Sequence, residues 1–307
     1  PQLVAGPIVR HNQIIHQFSI SPIRSDMHEN ISRGIILFTL GLLKKVFLAD
    51  EFASLADAGF DAASGTEGIS SAFAWFSVMS YTLQIYFDFS AYSDMAIGLG
   101  SIFGFKLPIN FNNPYSSRNI QEFWRRWHIT LSSFLRDYLY FPLGGSRRGQ
   151  ARYIVAIFVT MTLCGLWHGA GWSFVTWGII HGIALIIFHY WSMLNLRLPG
   201  IFSWALTFLF VICGWVLFRA EDISLAGSML NSMFVLNDMP LPDKFNDDVN
   251  FVMLGLLISM LGPTSYNLAF HKAAPKLWIM SVTSLLLISI LLRIGPGRSL
   301  DFIYFQF

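Results

Sequence analysis

Leu-Cys-Gly-Leu-Trp-His-Gly-Ala-Gly-Trp, residues Leu163 to Trp172, closes one long apolar run and opens the next. Its histidine, His168, falls where the hydropathy puts membrane on both sides. An ionisable side chain at that depth is expensive and is by default a functional hypothesis. Gly165, Gly169 and Gly171 crowd it, and glycine both weakens a helix and lets backbone or ligand approach closely. A helix broken beside a membrane histidine is the expected framework of a site.

Composition sets the solvent. Hydrophobic residues make up 54% of the 307 and charged residues only 12%, with a mean hydropathy of +0.53, where about a quarter of an ordinary soluble domain is charged. The chain reads as an all-α, polytopic integral membrane protein. Its basic residues are scattered between apolar runs rather than pooled in a patch, so the charge argues nothing for nucleic acid and no nucleic-acid partner is expected. The two cysteines, Cys164 and Cys213, both sit inside apolar runs, so neither a disulfide framework nor a cysteine-rich metal site is on offer. Nothing reads as a signal peptide, and the expectation is one membrane-embedded core over residues 1–307 that begins inside a longer chain.

Outward from the opening stretch, Pro1 to Arg24 suits a loop with short interfacial helices. Ile31 to Asp50 is the first strong apolar segment, and Lys44 and Lys45 near its end read as snorkelling anchors. Glu51 to Ser70, rich in Ala, Gly, Ser and Asp, suits a polar connection. Ser71 to Phe105 is long enough for two passes, yet Asp88, Ser90, Ser93 and Asp94 fall in its middle, so it is expected to turn inward or line a wet cavity. Lys106 to Asn119 carries Pro108, Asn110, Asn112, Asn113 and Pro114 and reads as a structured loop. Gln121 to Leu143 repeats apolar residues at helical spacing with arginines between them, which predicts one amphipathic helix.

Arg147, Arg148 and Arg152 then mark a cytoplasmic loop by the positive-inside rule. Tyr153 to Trp167, Trp172 to Leu194 and Ile201 to Phe218 are expected to cross in turn. The acidic stretch of about 221–250, with Asp222, Asp238, Asp243, Asp247 and Asp248, suits an extracytoplasmic loop. Leu277 to Leu292 approaches the roughly 20 residues that cross a bilayer core, whereas Phe251 to Leu261 is short for a span. In all, roughly seven or eight membrane-embedded segments are expected.

Each candidate for chemistry has a plainer alternative. His168 would serve as a general base in a dry cavity, or would simply hydrogen-bond a neighbouring helix. Cys164, four residues earlier, would share its helical face and form a Cys-His dyad, but apolar surroundings disfavour a thiolate. His128 follows Arg125-Arg126-Trp127 and reads equally as an interfacial histidine. His181 and His189 read as structural, and no metal site is expected because no H-x-x-x-H pair or carboxylate partner accompanies them. Asp88 and Asp94 read as holding a polar network together more than as an ion path.

Pro1 to Arg10, Tyr86 to Gly98 (Tyr-Phe-Asp-Phe-Ser-Ala-Tyr-Ser-Asp-Met-Ala-Ile-Gly), Phe123 to Tyr138 and Leu166 to Gly169 together resemble the bacterial membrane-bound O-acyltransferases. The alginate O-acetyltransferase branch is the nearest likeness and the D-alanyl-lipoteichoic acid transferases a more distant one. The resemblance implies a ring of tilted helices around a central tunnel, with His168, in Leu-Trp-His-Gly, as the catalytic histidine near its middle. His128, in Phe-Trp-Arg-Arg-Trp-His, takes the second catalytic position. The substrate-binding set expected around them is Trp127, Trp167, Arg125, Arg126, Asp88 and Asn112. Family members carry further helices before a segment like Pro1.

What the resemblance further implies is transfer of an acetyl or acyl group across a bacterial inner membrane, for O-acetylation of an extracytoplasmic polysaccharide, alginate first. No permanently bound cofactor is expected; acetyl-CoA or an acyl-carrier thioester enters as donor substrate. The expected partners are extracytoplasmic acetyltransferase subunits and the lipid bilayer. The alternatives are the same chemistry on cellulose, peptidoglycan or teichoic acid, a proton-coupled transporter, or a subunit that only positions another enzyme. A carrier would be expected to show repeat symmetry between halves, and none is visible.

Overall fold

The computed structural model describes residues 6–20, 25–65, 68–236, 241, 245–273 and 275–294, and among them every regular element is helical. Residues 1–5 of the Pro1 to Arg10 stretch lie outside the described residues, as do Asp238 and Asp243 of the acidic stretch.

Helix α1 (Met27–Lys44) continues through a π-helical turn, Lys45–Ala49, into α2 (Asp50–Ser64). The polar connection expected after Glu51 is therefore a helix. Its small residues conceal a helical stripe, since Phe52, Ala56, Gly59, Phe60 and Ala63 all face inward. The two lysines also depart from expectation. Rather than snorkelling outward, Lys45 is buried and pairs with Asp88 and Asp50 at 2.8 Å each, and Lys44 pairs with Asp94 at 2.6 Å.

Asp88 and Asp94 belong to α3 (Ser71–Ile102), one unbroken helix of 32 residues in the stretch whose length would have allowed two passes. Ser70 caps its start by accepting from the Phe73 amide. Ser77, Ser80 and Thr82 then donate to carbonyls four residues back, so the hydroxyls that dilute its hydropathy need no water. At about 1.5 Å per residue it is roughly 48 Å long, and α1 and α2 pack along it.

Helices α4 (Ile120–Arg126) and α5 (Ile129–Leu135) are separated by a break, so the single amphipathic helix expected over 121–143 is two short ones. A π-helical turn, Arg136–Tyr140, follows them. There Asp137 pairs with Arg136 and Arg10. The hydrogen bond from Arg136, joined by Arg10, holds the Asp137 carboxyl below the usual carboxylate range.

Helices α6 (Gln150–His168) and α7 (Trp172–Met193) form an antiparallel hairpin, and α8 (Gly200–Arg219) returns beside it. A methyl on Gly165 would strike the Phe174 carbonyl and one on Gly178 the Met161 carbonyl, so these two glycines let the hairpin's backbones touch, the usual device of membrane helix pairs.

The acidic stretch is also partly helical. Asp222 caps α9 (Ile223–Phe234), and α10 (Phe245–Leu261) follows. A short turn of helix, Ser265–Lys272, bends by 61° from α10, and α11 (Leu277–Arg293) ends the described chain. Around α3 are packed α8, α9 and α10 as well as α1 and α2.

Among the described residues, three helices (α6, α7 and α8) are long and apolar enough to cross a membrane, or four if the bent pair counts as one span. That is fewer than the seven or eight embedded segments expected. The reason is visible in α3, whose Ser, Gln and Asp side chains are buried against other helices and are thereby hidden from lipid.

Candidate functional site

Helix α6 stops at His168 because Gly169 turns to extended backbone, and α7 begins four residues later at Trp172. His168 thus sits at the tip of the hairpin, half-buried. Its ring lies edge-on to Trp177 (5.4 Å between centroids) and to Phe218 (5.0 Å). Trp167 beside it is 58% exposed.

His128 lies in the break between α4 and α5 and is buried. Its backbone is left-handed, with φ 42° and ψ 55°, a conformation that costs a non-glycine residue about 1–3 kcal/mol. The loop before α4 holds it there. The Ile129 amide donates to the Asn110 carbonyl and the Asn112 amide to the Arg126 carbonyl, both at 3.0 Å, so the loop backbone clasps the break on either side. The Asn110 side chain lies 3.0 Å from His128 Nδ1. Phe89, near the middle of α3, closes edge-on over the imidazole at 4.7 Å.

The two histidines are 40 positions apart in sequence, yet they lie close enough to interact electrostatically. A wall of rings joins them: Trp177 stacks on Trp215 at 6.0 Å, Trp215 lies 4.8 Å from Trp127, and Trp127 meets Phe111 at 5.0 Å. Trp127 is buried in that wall.

Other expected residues lie elsewhere. Arg126 pairs with Glu122 at 2.7 Å and donates to Ser116. Asp88 is committed to Lys45. Asn112 is exposed and is held through its backbone. Arg125 lines a cleft of about 400 Å³ between α4, α5, α6 and α7, together with Arg136, Tyr153, Thr160, Met161 and His189. His189 contacts Gln150 at the open end of the hairpin. His181 is buried and accepts from Trp124 Nε1 at 3.3 Å, which makes it a brace between α4 and α7. Cys164 is buried one turn below His168. Among the described residues no group of His, Cys, Asp or Glu is arranged to hold a metal ion.

Asn110 and Thr130, which fix His128, were missed from the sequence. In the loop Asn110 reads as a turn breaker, and its only signal is an asparagine among apolar neighbours in Pro-Ile-Asn-Phe, which does not reveal a partner 18 residues away.

Two imidazoles under an aromatic roof, with a basic cleft leading up one side, suit proton transfer to and from a hydroxyl or thiol. Comparison with known proteins points the same way. Residues 1–221 match the model of MBOAT, the membrane-bound O-acyltransferase family. A peptidoglycan O-acetyltransferase of Helicobacter pylori is 40% identical over the whole of this chain and 62% of its own length. A probable alginate O-acetylase of Pseudomonas putida is 38% identical over the whole chain and 67% of its own. A teichoic acid D-alanyltransferase of Streptococcus thermophilus is 31% identical over 62% of this chain and 48% of its own length. The chain thus spans roughly three-fifths to two-thirds of the first two of these relatives.

Proposed function

We propose, since the chain belongs to the membrane-bound O-acyltransferase family, that it carries the acyl-transfer core of a multi-pass enzyme of the bacterial inner membrane. The observation that carries this reading is the convergence of His168 and His128, from separate helix breaks, behind one aromatic wall.

The donor is a cytoplasmic thioester, acetyl-CoA or an acyl-carrier thioester, entering as substrate with no resident cofactor. The 400 Å³ cleft supports entry from the arginine end of the hairpin. Arg125 and Arg136 on its wall suit a phosphate-bearing donor, which charge-assisted hydrogen bonds would hold. Trp167, exposed beside His168, suits packing against the acyl group or a sugar ring. Trp127, Arg126 and Asp88 act at one remove by fixing the wall and the helices.

In the transfer itself a histidine nitrogen takes the proton from an attacking hydroxyl as the acyl C–O bond forms. The C–S bond breaks, and the departing thiolate takes up a proton to leave as thiol. His168 is the acyl-transfer centre, and His128 assists in moving the proton. The final acceptor is a sugar hydroxyl of an extracytoplasmic polymer, reached directly or through an extracytoplasmic acetyltransferase subunit. Alginate is the first reading; the similarity to a peptidoglycan O-acetyltransferase over the whole of this chain supports peptidoglycan as the second.

The test is acetyl transfer from labelled acetyl-CoA by membranes carrying the protein. His168→Ala is expected to lower the rate by about 10²–10⁴-fold, the usual contribution of a positioned acid or base. Undiminished transfer in the variant would sink the assignment.

A further inference from the structure

The hydrogen bonds around Asn110 determine which nitrogen of His128 carries a proton. Three donors or potential donors converge on Asn110 Oδ1: the Thr130 amide at 3.3 Å, Thr130 Oγ1 at 2.9 Å and His128 Nδ1 at 3.0 Å. A backbone amide only donates, so the atom facing Thr130 is the side-chain oxygen of Asn110 and not its nitrogen. Thr130 Oγ1 in turn accepts from the Ile8 amide at 3.0 Å, which leaves its own proton for Asn110. On the other side Asn110 Nδ2 donates to Ser93 Oγ on α3 at 3.2 Å. The amide therefore has one orientation that satisfies every partner.

An oxygen that only accepts requires a donor at His128 Nδ1. A neutral imidazole has one N–H, so with Nδ1 protonated the lone pair belongs to Nε2. We propose that Asn110 is a positioning residue that locks His128 in the Nδ1–H tautomer and so presents Nε2 as a proton acceptor in the acyl-transfer site. This rests on the acyltransferase reading given above and deepens it, by naming the nitrogen through which His128 assists in moving the proton. The proton of the attacking hydroxyl passes to His128 Nε2 as the C–O bond forms, and it returns to the thiolate released when the C–S bond breaks.

Several features support a built arrangement rather than a chance contact. Asn110 is 1% exposed and His128 3% exposed, so both are shielded from bulk solvent. The Asn110 backbone is separately clamped by Ile129. Asn110 also closes a small polar chamber of about 20 Å³ that includes Lys44, Ser90, Ser93 and Asp94. The loop, α3 and the α4–α5 break thus meet at this one side chain, and the N-terminal segment reaches it through Thr130.

The first test reads the wild-type protein. In the purified protein labelled with ¹⁵N-histidine, the His128 resonances, identified by their loss in His128→Gln, are expected to show Nδ1 protonated and Nε2 unprotonated near neutral pH. An Nε2–H tautomer in the wild type overturns the proposal, whether or not transfer can be measured. The second test separates positioning from folding. Asn110→Ala is expected to lower kcat for acetyl transfer at least about a hundredfold, as when a histidine loses the partner that sets its tautomer, with donor KM unchanged. Asn110→Asp keeps the acceptor, so it is expected to keep Nδ1 protonated and to recover most of that loss. An alanine variant with wild-type kcat, or an aspartate variant as impaired as alanine while Nδ1 stays protonated, overturns it. Loss of activity in His168→Ala tests the acyltransferase reading separately.

Discussion

Asp88 is the residue whose surroundings are least forgiving. It sits in the middle of α3, 2% exposed, and its charge is answered by Lys45, which Asp50 shares. Burying two charges is expensive, and their attraction repays it only while both are present. Asp88→Ala would leave the ammonium facing Asp50 alone. We expect a loss of about 3–5 kcal/mol, the usual result of breaking a buried pair, read as a lower unfolding temperature in detergent. The double variant Asp88→Leu with Lys45→Met removes both charges and is expected to recover most of the loss. A double variant no more stable than the single would show that the pair contributes more than mutual neutralisation.

Among the elements, the α6–α7 hairpin sets the position of His168. Gly165 stands three residues before the histidine and faces the Phe174 carbonyl, and Gly178 faces the Met161 carbonyl across the same seam. Gly165→Ala has no room, so the helices must part or shift. Overpacking of this kind costs about 1–3 kcal/mol, and we expect both a lower unfolding temperature and slower acetyl transfer, because the displaced tip carries His168. Wild-type stability and rate would mean that the seam is slack. This hairpin was also the most legible element: two apolar runs, three glycines and a histidine announce a helix end at a membrane depth, and α6 ends at His168. The break at His128 was not legible. No glycine or proline marks it, since Trp127 and His128 are bounded by Arg126 and Ile129, and the left-handed turn is imposed by Asn110 and Asn112 from a loop remote in sequence. Lys44 and Lys45 failed for a related reason. Of their partners, Asp94 and Asp88 lie on α3, more than 40 positions away, and hydropathy does not record partners.

For the molecule as a whole the question is how the proposed thioester donor, entering at the arginine turn, would reach His168. Helix α6 separates them by its full 19 residues, about 28 Å at 1.5 Å per residue, close to the thickness of a bilayer core of roughly 30 Å. The cleft lined by Arg125 and Arg136 follows α6 from Tyr153 to Met161, a rise of about 12 Å, and so covers the first part of that distance. Thr160 stands at its inner end with a buried hydroxyl that has no hydrogen-bond partner among the described residues. A bulkier side chain there would narrow the cleft at the end nearer His168 along α6. Thr160→Phe is therefore expected to obstruct the inner end while leaving His168 and His128 in place. If the donor travels this route, its KM rises or transfer stops, while the ¹⁵N signature of His128 stays as in the wild type. Unchanged KM and rate with a folded variant would rule the cleft out as the donor's path and would require entry on another face of the hairpin.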